Sequence, residues 1–221
     1  MTPYYEHGGI QIFHGDCREL LPSLPKCDIA LTDPPYNVGL DYCDGDARID
    51  YEEWCEQWFF KLPRPAVFTC GSVNLAMWFR IEEPLWTCAW VKTNQCSFTR
   101  LGGPNMWEPV LVYGKPGHRI DRDVWDIPIA GQDECSGHPC PKSLRFWKAL
   151  TKSFTIEGQL IVDSFMGSGT SLVAAKALGR KAIGIEIEEK YCEIAAKRLS
   201  QEVFQFVPYS GDVQPSERVQ E

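Results

Sequence analysis

Asp33, Pro34, Pro35 and Tyr36 stand together just after the apolar run Cys27-Asp28-Ile29-Ala30-Leu31. An acid, two prolines and an aromatic in that order can bind a planar amine. The run predicts a short buried strand. Two successive prolines can neither continue it nor turn at once into helix, so the segment must leave the sheet as a stiff loop. The loop presents a fixed carboxylate, a fixed ring and the carbonyls of Asp33 and Pro34. An exocyclic amine needs oxygen acceptors in its plane and an aromatic face against its ring. Asp33, Pro34, Pro35 and Tyr36 are therefore the candidate catalytic group, with Tyr36 and Asn37 toward the substrate. The plainer alternative is a strand-ending turn in which Asp33 caps backbone and Tyr36 packs.

A second stretch, Leu160-Ile161-Val162-Asp163-Ser164-Phe165-Met166-Gly167-Ser168-Gly169-Thr170, pairs a buried strand with a glycine-rich turn. Gly167 and Gly169 permit a tight turn and close approach of backbone to a ligand. Glu186, 19 residues after Gly167, ends the next predicted strand, where it can accept from ribose hydroxyls. The spacing also suits a dinucleotide-binding fold, but the third glycine of that pattern is Leu172 here.

Asp33-Pro34-Pro35-Tyr36 and the glycine-rich stretch together resemble the amino-methyltransferases of nucleic acids. The similarity runs from about Ile10 to Leu199. The amine loop comes first and the cofactor loop last, an order similar to the circularly permuted beta class of DNA amino-methyltransferases. The resemblance implies S-adenosyl-L-methionine as cofactor and double-stranded DNA as partner, and it allows a homodimer. It implies that Asp16 and Cys17 lie beside the cofactor's adenine. Asp163 and Phe165 would flank its methionine and ring portions, with Asp33, Gly167, Ser168, Gly169, Thr170, Glu186 and Ile187 completing the pocket. His138 and Lys142, in a His-Pro-x-x-Lys segment, would meet the methionine end. Lys92 and Arg100 would lie on the side that borders DNA. An aspartate opening the amine motif is typical of the family's adenine enzymes and a serine of its cytosine-amine enzymes, so Asp33 implies adenine. Cytosine-amine transfer, methylation of RNA or of a protein amide, and an inactive DNA-binding subunit are the alternatives. A nicotinamide oxidoreductase has no use for the amine loop.

These loops must be positioned by a sheet. Apolar runs starting at Ile10, Cys27, Pro65, Leu85, Trp107, Gln159 and Lys181 predict seven strands, most of them separated by helices. That pattern gives an α/β, doubly wound, mainly parallel sheet, and a seven-stranded Rossmann-like sheet is also what the resemblance implies. Asp50 is expected to cap a helix bearing Tyr51, Trp54 and Trp58 on one face, and Ser72 to cap the next helix. The 221 residues are read as a methyltransferase domain over 1–207, with a short target-recognition region about 92–137, and a loose tail over 208–221.

Bulk properties narrow the class. The net charge of −8 opposes nucleic-acid binding, but the charge is unevenly spread. Seven acids against Arg48 lie between Asp41 and Glu56, whereas Lys142, Arg145, Lys148 and Lys152 follow His138 with no acid among them. A basic face on an acidic protein is consistent with that spread. The lack of a membrane-length apolar run and of a leader predicts a cytoplasmic protein. The ten cysteines, with no C-x-x-C pair, predict reduced thiols. Cys135, His138 and Cys140 offer three ligands where structural zinc needs four, so no metal is expected.

Overall fold

A computed structural model describes residues 1–39, 48–94, 98–129 and 142–201. The apolar runs form strands β1 (Tyr5–His7), β2 (Ile10–His14), β3 (Ile29–Thr32), β4 (Ala66–Thr69), β5 (Trp86–Val91), β6 (Trp107–Tyr113), β7 (Val124–Asp126), β8 (Leu160–Asp163) and β9 (Lys181–Glu186). Between them lie helices α1 (Cys17–Leu20), α2 (Tyr51–Phe59), α3 (Leu75–Ile81), α4 (Leu144–Phe154), α5 (Thr170–Ala177) and α6 (Glu189–Ser200). All four residues of β3 and of β4 are buried. Strands covered on both faces become continuous apolar runs instead of alternating ones.

The strands form one sheet in the order β1-β2-β9-β8-β3-β4-β6-β5-β7. Neighbours from β2 through β4 run parallel, β6 is antiparallel to β4 and β5, and β7 is parallel to β5. The expected seven strands are all present, and the described residues add two. β1 is a short edge strand turned onto β2 by Gly8 and Gly9, at φ 59° and 79°, values that a tight hairpin requires and glycine permits. β7 buries only Trp125 of its three residues. Neither segment is long enough to show a period.

Two cores lie on opposite faces. Trp54, Trp58 and Phe59 of α2 and Trp78 of α3 pack with Phe68 and Tyr113 on one face. Phe146, Leu150 and Phe154 of α4, with Leu172 of α5 and Cys192 of α6, pack with Ile29, Val67 and Trp90 on the other. Two expected caps differ. The Asp50 carboxylate makes no capping bond and instead pairs with Arg48 at 3.1 Å. Ser72 opens a short 3-10 turn, so that α3 begins only at Leu75.

The topology fixes where a ligand can sit. From β8 the chain crosses through α5 to β9 on one side, and from β3 it crosses through α2 to β4 on the other. The connections diverge between β8 and β3, and a doubly wound sheet opens its crevice at the carboxyl ends of such a pair. The amine loop leaves β3 and the glycine-rich loop leaves β8.

Candidate active site

The register Ala30↔Val162 sets the ends of β3 and β8 side by side. The Asp163 carboxylate bolts them together. Its Oδ1 accepts from Thr32 Oγ1 at 2.7 Å and from the Phe165 N–H at 3.0 Å, while Oδ2 accepts from Ser171 of α5. Burial pushes the Asp163 carboxyl up to about 6, against the pull of those bonds.

The amine loop is pinned by its own acceptors. The Tyr51 hydroxyl donates to the Pro35 carbonyl at 2.6 Å and the Asn74 amide to the Tyr36 carbonyl at 2.5 Å. Among the described residues every donor to the Asp33 carboxylate reaches Oδ1. Thr69 donates to it, the Tyr36 hydroxyl lies at 2.8 Å and Lys142 Nζ at 3.2 Å. Among the described residues nothing donates to Asp33 Oδ2 or to the Pro34 carbonyl, and the Asp33 side chain is 21% exposed. The loop thus holds one carboxylate oxygen rigidly and offers the other.

Behind Tyr36 lies a buried ionic network. Lys142 Nζ donates to Tyr36 Oη at 2.8 Å and to Glu108 Oε2 at 2.9 Å. Lys92 Nζ, on a side chain only 3% exposed, donates to Glu108 Oε1 at 2.9 Å. Tyr36 Oη also stands 3.0 Å from Glu108 Oε2, so its one proton serves either Asp33 or Glu108. Burial opposes ionisation of Glu108, but the ammonium groups of Lys142 and Lys92 overcome it and draw the carboxyl down to about 2. Burial likewise opposes the Lys142 charge, yet Asp33 and Glu108 raise its pKa. Burial and the same two carboxylates raise the Tyr36 phenol well above its usual range. The site therefore keeps Glu108 and Lys142 ionised and Tyr36 neutral.

On the cofactor side, Glu186 ends β9 and is largely buried. Its Oε2 accepts from the Gly167 N–H at 2.9 Å and its Oε1 from the Glu188 N–H at 2.8 Å. One lone pair on each oxygen remains for a diol. Beside it, Ile187 is 57% exposed, an apolar surface at the crevice rim suited to a flat ring. Gly169 caps α5 at φ 77°, and a Cβ there would lie 2.7 Å from Ala195 Cβ. Gly169→Ala is expected to cost about 1–3 kcal/mol of stability and to weaken cofactor binding. Thermal melting and calorimetric titration measure the two effects.

A DNA methylase family signature matches residues 115–197. The chain is 36% identical over 252 residues to the type II methyltransferase M2.MboI of Moraxella bovis, covering 90% of this chain and 91% of that one. The chain belongs to the DNA methylase family. This methylase is also 24% identical to the DNA adenine methyltransferase YhdJ of Escherichia coli K12, over 85% of its own length and 82% of that protein. The structure of the M1.HpyAVI–SAM complex superposes with a TM-score of 0.63 at 27% identity, covering 86% of this chain and 99% of that one.

The methylase fold brings Asp33, Pro34, Pro35, Tyr36, Lys142, Phe165, Gly167, Gly169, Glu186 and Ile187 to one rim, and several of the other expected site residues have protein partners of their own. Lys92, expected on the side that borders DNA, is buried against Glu108, because it follows β5 at the rim where β6 begins. Asp163 is only 2% exposed, and its carboxylate is turned to Thr32, Phe165 and Ser171. Asp16 caps α1, and its carboxylate is gripped by Arg18 at 3.0 Å. Cys17 is buried beneath α1, where desolvation pushes its thiol up to about 12. Ser168 and Thr170 turn toward α6, where Arg198 donates to their hydroxyls at 3.2 and 3.1 Å. The Asn37 amide clasps the Arg48 backbone through bonds of 3.0 and 2.6 Å, closing the base of its loop. Phe165 packs on Trp58 with ring centroids 5.0 Å apart and remains partly exposed. Arg100 is exposed. His138, the Cys135–Cys140 segment and the 208–221 tail lie outside the described residues.

Glu108 opens the run at Trp107, which was expected only as a strand, so its place in the ionic network behind Tyr36 had no counterpart among the expected site residues. The available signal was a lone acid opening one apolar run and a lone lysine closing the run before it. Among the described residues no group of three or more His, Cys, Asp or Glu could hold a metal, and no helix is long and apolar enough to cross a membrane.

The raised Asp163 pKa gives a pH prediction. Between roughly pH 4 and 6 the folded chain retains a proton that the unfolded chain has released, so this group's contribution to stability declines as pH rises. Asp163→Asn removes that slope. Relative to wild type, the variant is expected to gain up to about 3 kcal/mol on going from pH 4 to pH 7, measured by urea unfolding at both pH values.

Proposed function

We propose that this methylase transfers the methyl group of S-adenosyl-L-methionine to the exocyclic amine of adenine in double-stranded DNA, acting on a base rotated out of the helix. The observation that carries the reading is the half-used Asp33 carboxylate beside the unused Pro34 carbonyl, at the switch point shared with the glycine-rich loop. An aromatic amine is a poor nucleophile because its lone pair is delocalised into the ring. Asp33 Oδ2 and the Pro34 carbonyl accept its two N–H bonds, favour a tetrahedral nitrogen and direct the lone pair at the methyl. Tyr36 stacks on the extruded base, which must leave the duplex because its amine is otherwise engaged in pairing.

S-adenosyl-L-methionine, when bound, supplies an electrophilic sulfonium methyl. Its fit is supported by the spare lone pairs of Glu186 beside the exposed Ile187, and by the close turn through Gly167 and Gly169. That methyl would pass to the nitrogen as its bond to sulfur broke, the electron pair staying on sulfur as a neutral thioether, and the nitrogen would give up its surplus proton past Asp33 Oδ2 to solvent. Positioning and electrostatics supply the acceleration. The order of the loops supports the permuted class, and Asp33 at the motif's first position supports adenine. The reading goes with a cytoplasmic protein whose partner is duplex DNA.

The test is transfer of tritiated methyl to unmethylated genomic DNA, followed by chromatography of the nucleoside hydrolysate. Label in N6-methyldeoxyadenosine is the expected result. Label only in N4-methyldeoxycytidine overturns the base assignment, and unlabelled DNA overturns the reaction. Methylation-sensitive sequencing of the product identifies the site that is read.

A further inference from the structure

We propose that the tip of the β5–β6 hairpin, Phe98, Arg100 and Leu101, is the wedge that enters the DNA stack as the target base leaves it; the inference rests on the function proposed above. β5 ends and β6 begins at the crevice edge of the sheet, so the connection between them projects from the rim that carries Asp33 and Tyr36. Pairing continues past the strand ends, with the Lys92 N–H donating to the Met106 carbonyl at 2.7 Å. Farther out, Phe98 and Pro104 form a bridge. The apex is locked: the Thr99 N–H reaches the Gly103 carbonyl at 2.7 Å, the Gly102 N–H reaches the Thr99 carbonyl at 3.0 Å, and the Leu101 N–H reaches Thr99 Oγ1 at 3.2 Å.

On this fixed turn Leu101 is 96% and Phe98 77% exposed. Single exposed apolar residues are ordinary. Here two of them crown a rigid turn, with Met106 and Trp107 exposed lower on the same arm. Arg100 stands between them, exposed and without an ion pair among the described residues. Apolar side chains that insert between bases, beside a cation for phosphate, suit a nucleic-acid stack. The Lys92–Glu108 pair stands at the foot of the hairpin, and Glu108 also lies 3.0 Å from Tyr36 Oη, so the turn springs from the same part of the rim as the ring that receives the base. Extruding a base leaves a gap in the stack, and filling that gap offsets the lost stacking.

The test uses oligonucleotide duplexes bearing the recognised site, one fully paired and one with an abasic position opposite the target adenine. Leu101→Ala is expected to lose on the order of tenfold in kcat/KM on the paired duplex and to match wild type on the abasic one, where extrusion is already easy. Leu101 is almost wholly exposed, so the substitution leaves the fold intact. Equal losses on the two duplexes, or no loss on either, overturn the wedge. A wild type inactive on both overturns the methylase reading, and the wedge with it.

Discussion

Asp33→Ala is expected to lower kcat for methyl transfer by roughly a hundred- to a thousandfold, the range seen when one preorganised polar group is removed from a reacting centre. Oδ2 is the offered acceptor, and Oδ1 is the anchor for Thr69, Tyr36 and Lys142. Alanine removes both functions. Lys142 keeps Glu108 as its counter-charge at 2.9 Å, so the fold survives. Asp33→Asn keeps the shape and one oxygen acceptor, and its activity should fall between alanine and wild type. Single-turnover transfer to genomic DNA measures the loss, with circular dichroism confirming the fold. Wild-type rates in the alanine variant would remove Asp33 from the chemistry.

Glu108→Ala should be the most destabilising substitution in the site. It leaves Lys92 without its carboxylate and Lys142 with only Asp33, and removing one member of a buried ionic group costs about 3–5 kcal/mol. Most of that cost is the stranded charge. Combining Glu108→Gln with Lys92→Met removes the pair together and should recover a good part of the stability, because an apolar replacement of a buried pair is often near neutral. Methyl transfer should stay impaired in the double variant, since a neutral amide no longer holds by charge the Lys142 ammonium that donates to Tyr36. Urea unfolding and kcat measured together separate the two effects; full recovery of both would reduce Glu108 to packing.

The sheet was legible because buried parallel strands are continuous apolar runs, and each of the seven expected runs is a strand. β1 and β7 were not, since three residues with one or none fully buried carry no period. The two chemical loops were legible for a different reason: prolines and glycines constrain backbone whatever surrounds them. What local sequence could not show was which acceptors the protein itself would consume. Asp163 and Asn37 are polar residues at the rim, just as Asp33 is, and only the three-dimensional placement of Ser171, Thr32 and Arg48 shows that the first two are already satisfied. Lys92 was expected with Arg100 on the side that borders DNA, whereas its side chain turns inward and reaches Glu108 at 2.9 Å across the β5–β6 pair.

In the proposed reaction the glycine-rich loop delivers a methyl group to the amine held at Asp33, across the gap between β8 and β3. A crystal structure of the chain with S-adenosyl-L-methionine tests it most directly. The ribose is expected at Glu186 and the sulfonium methyl opening toward Asp33 Oδ2, with room for an amine nitrogen at a near-attack distance of about 3–3.5 Å. A cofactor seated away from Glu186, or a methyl walled off from Asp33 by protein, would contradict it.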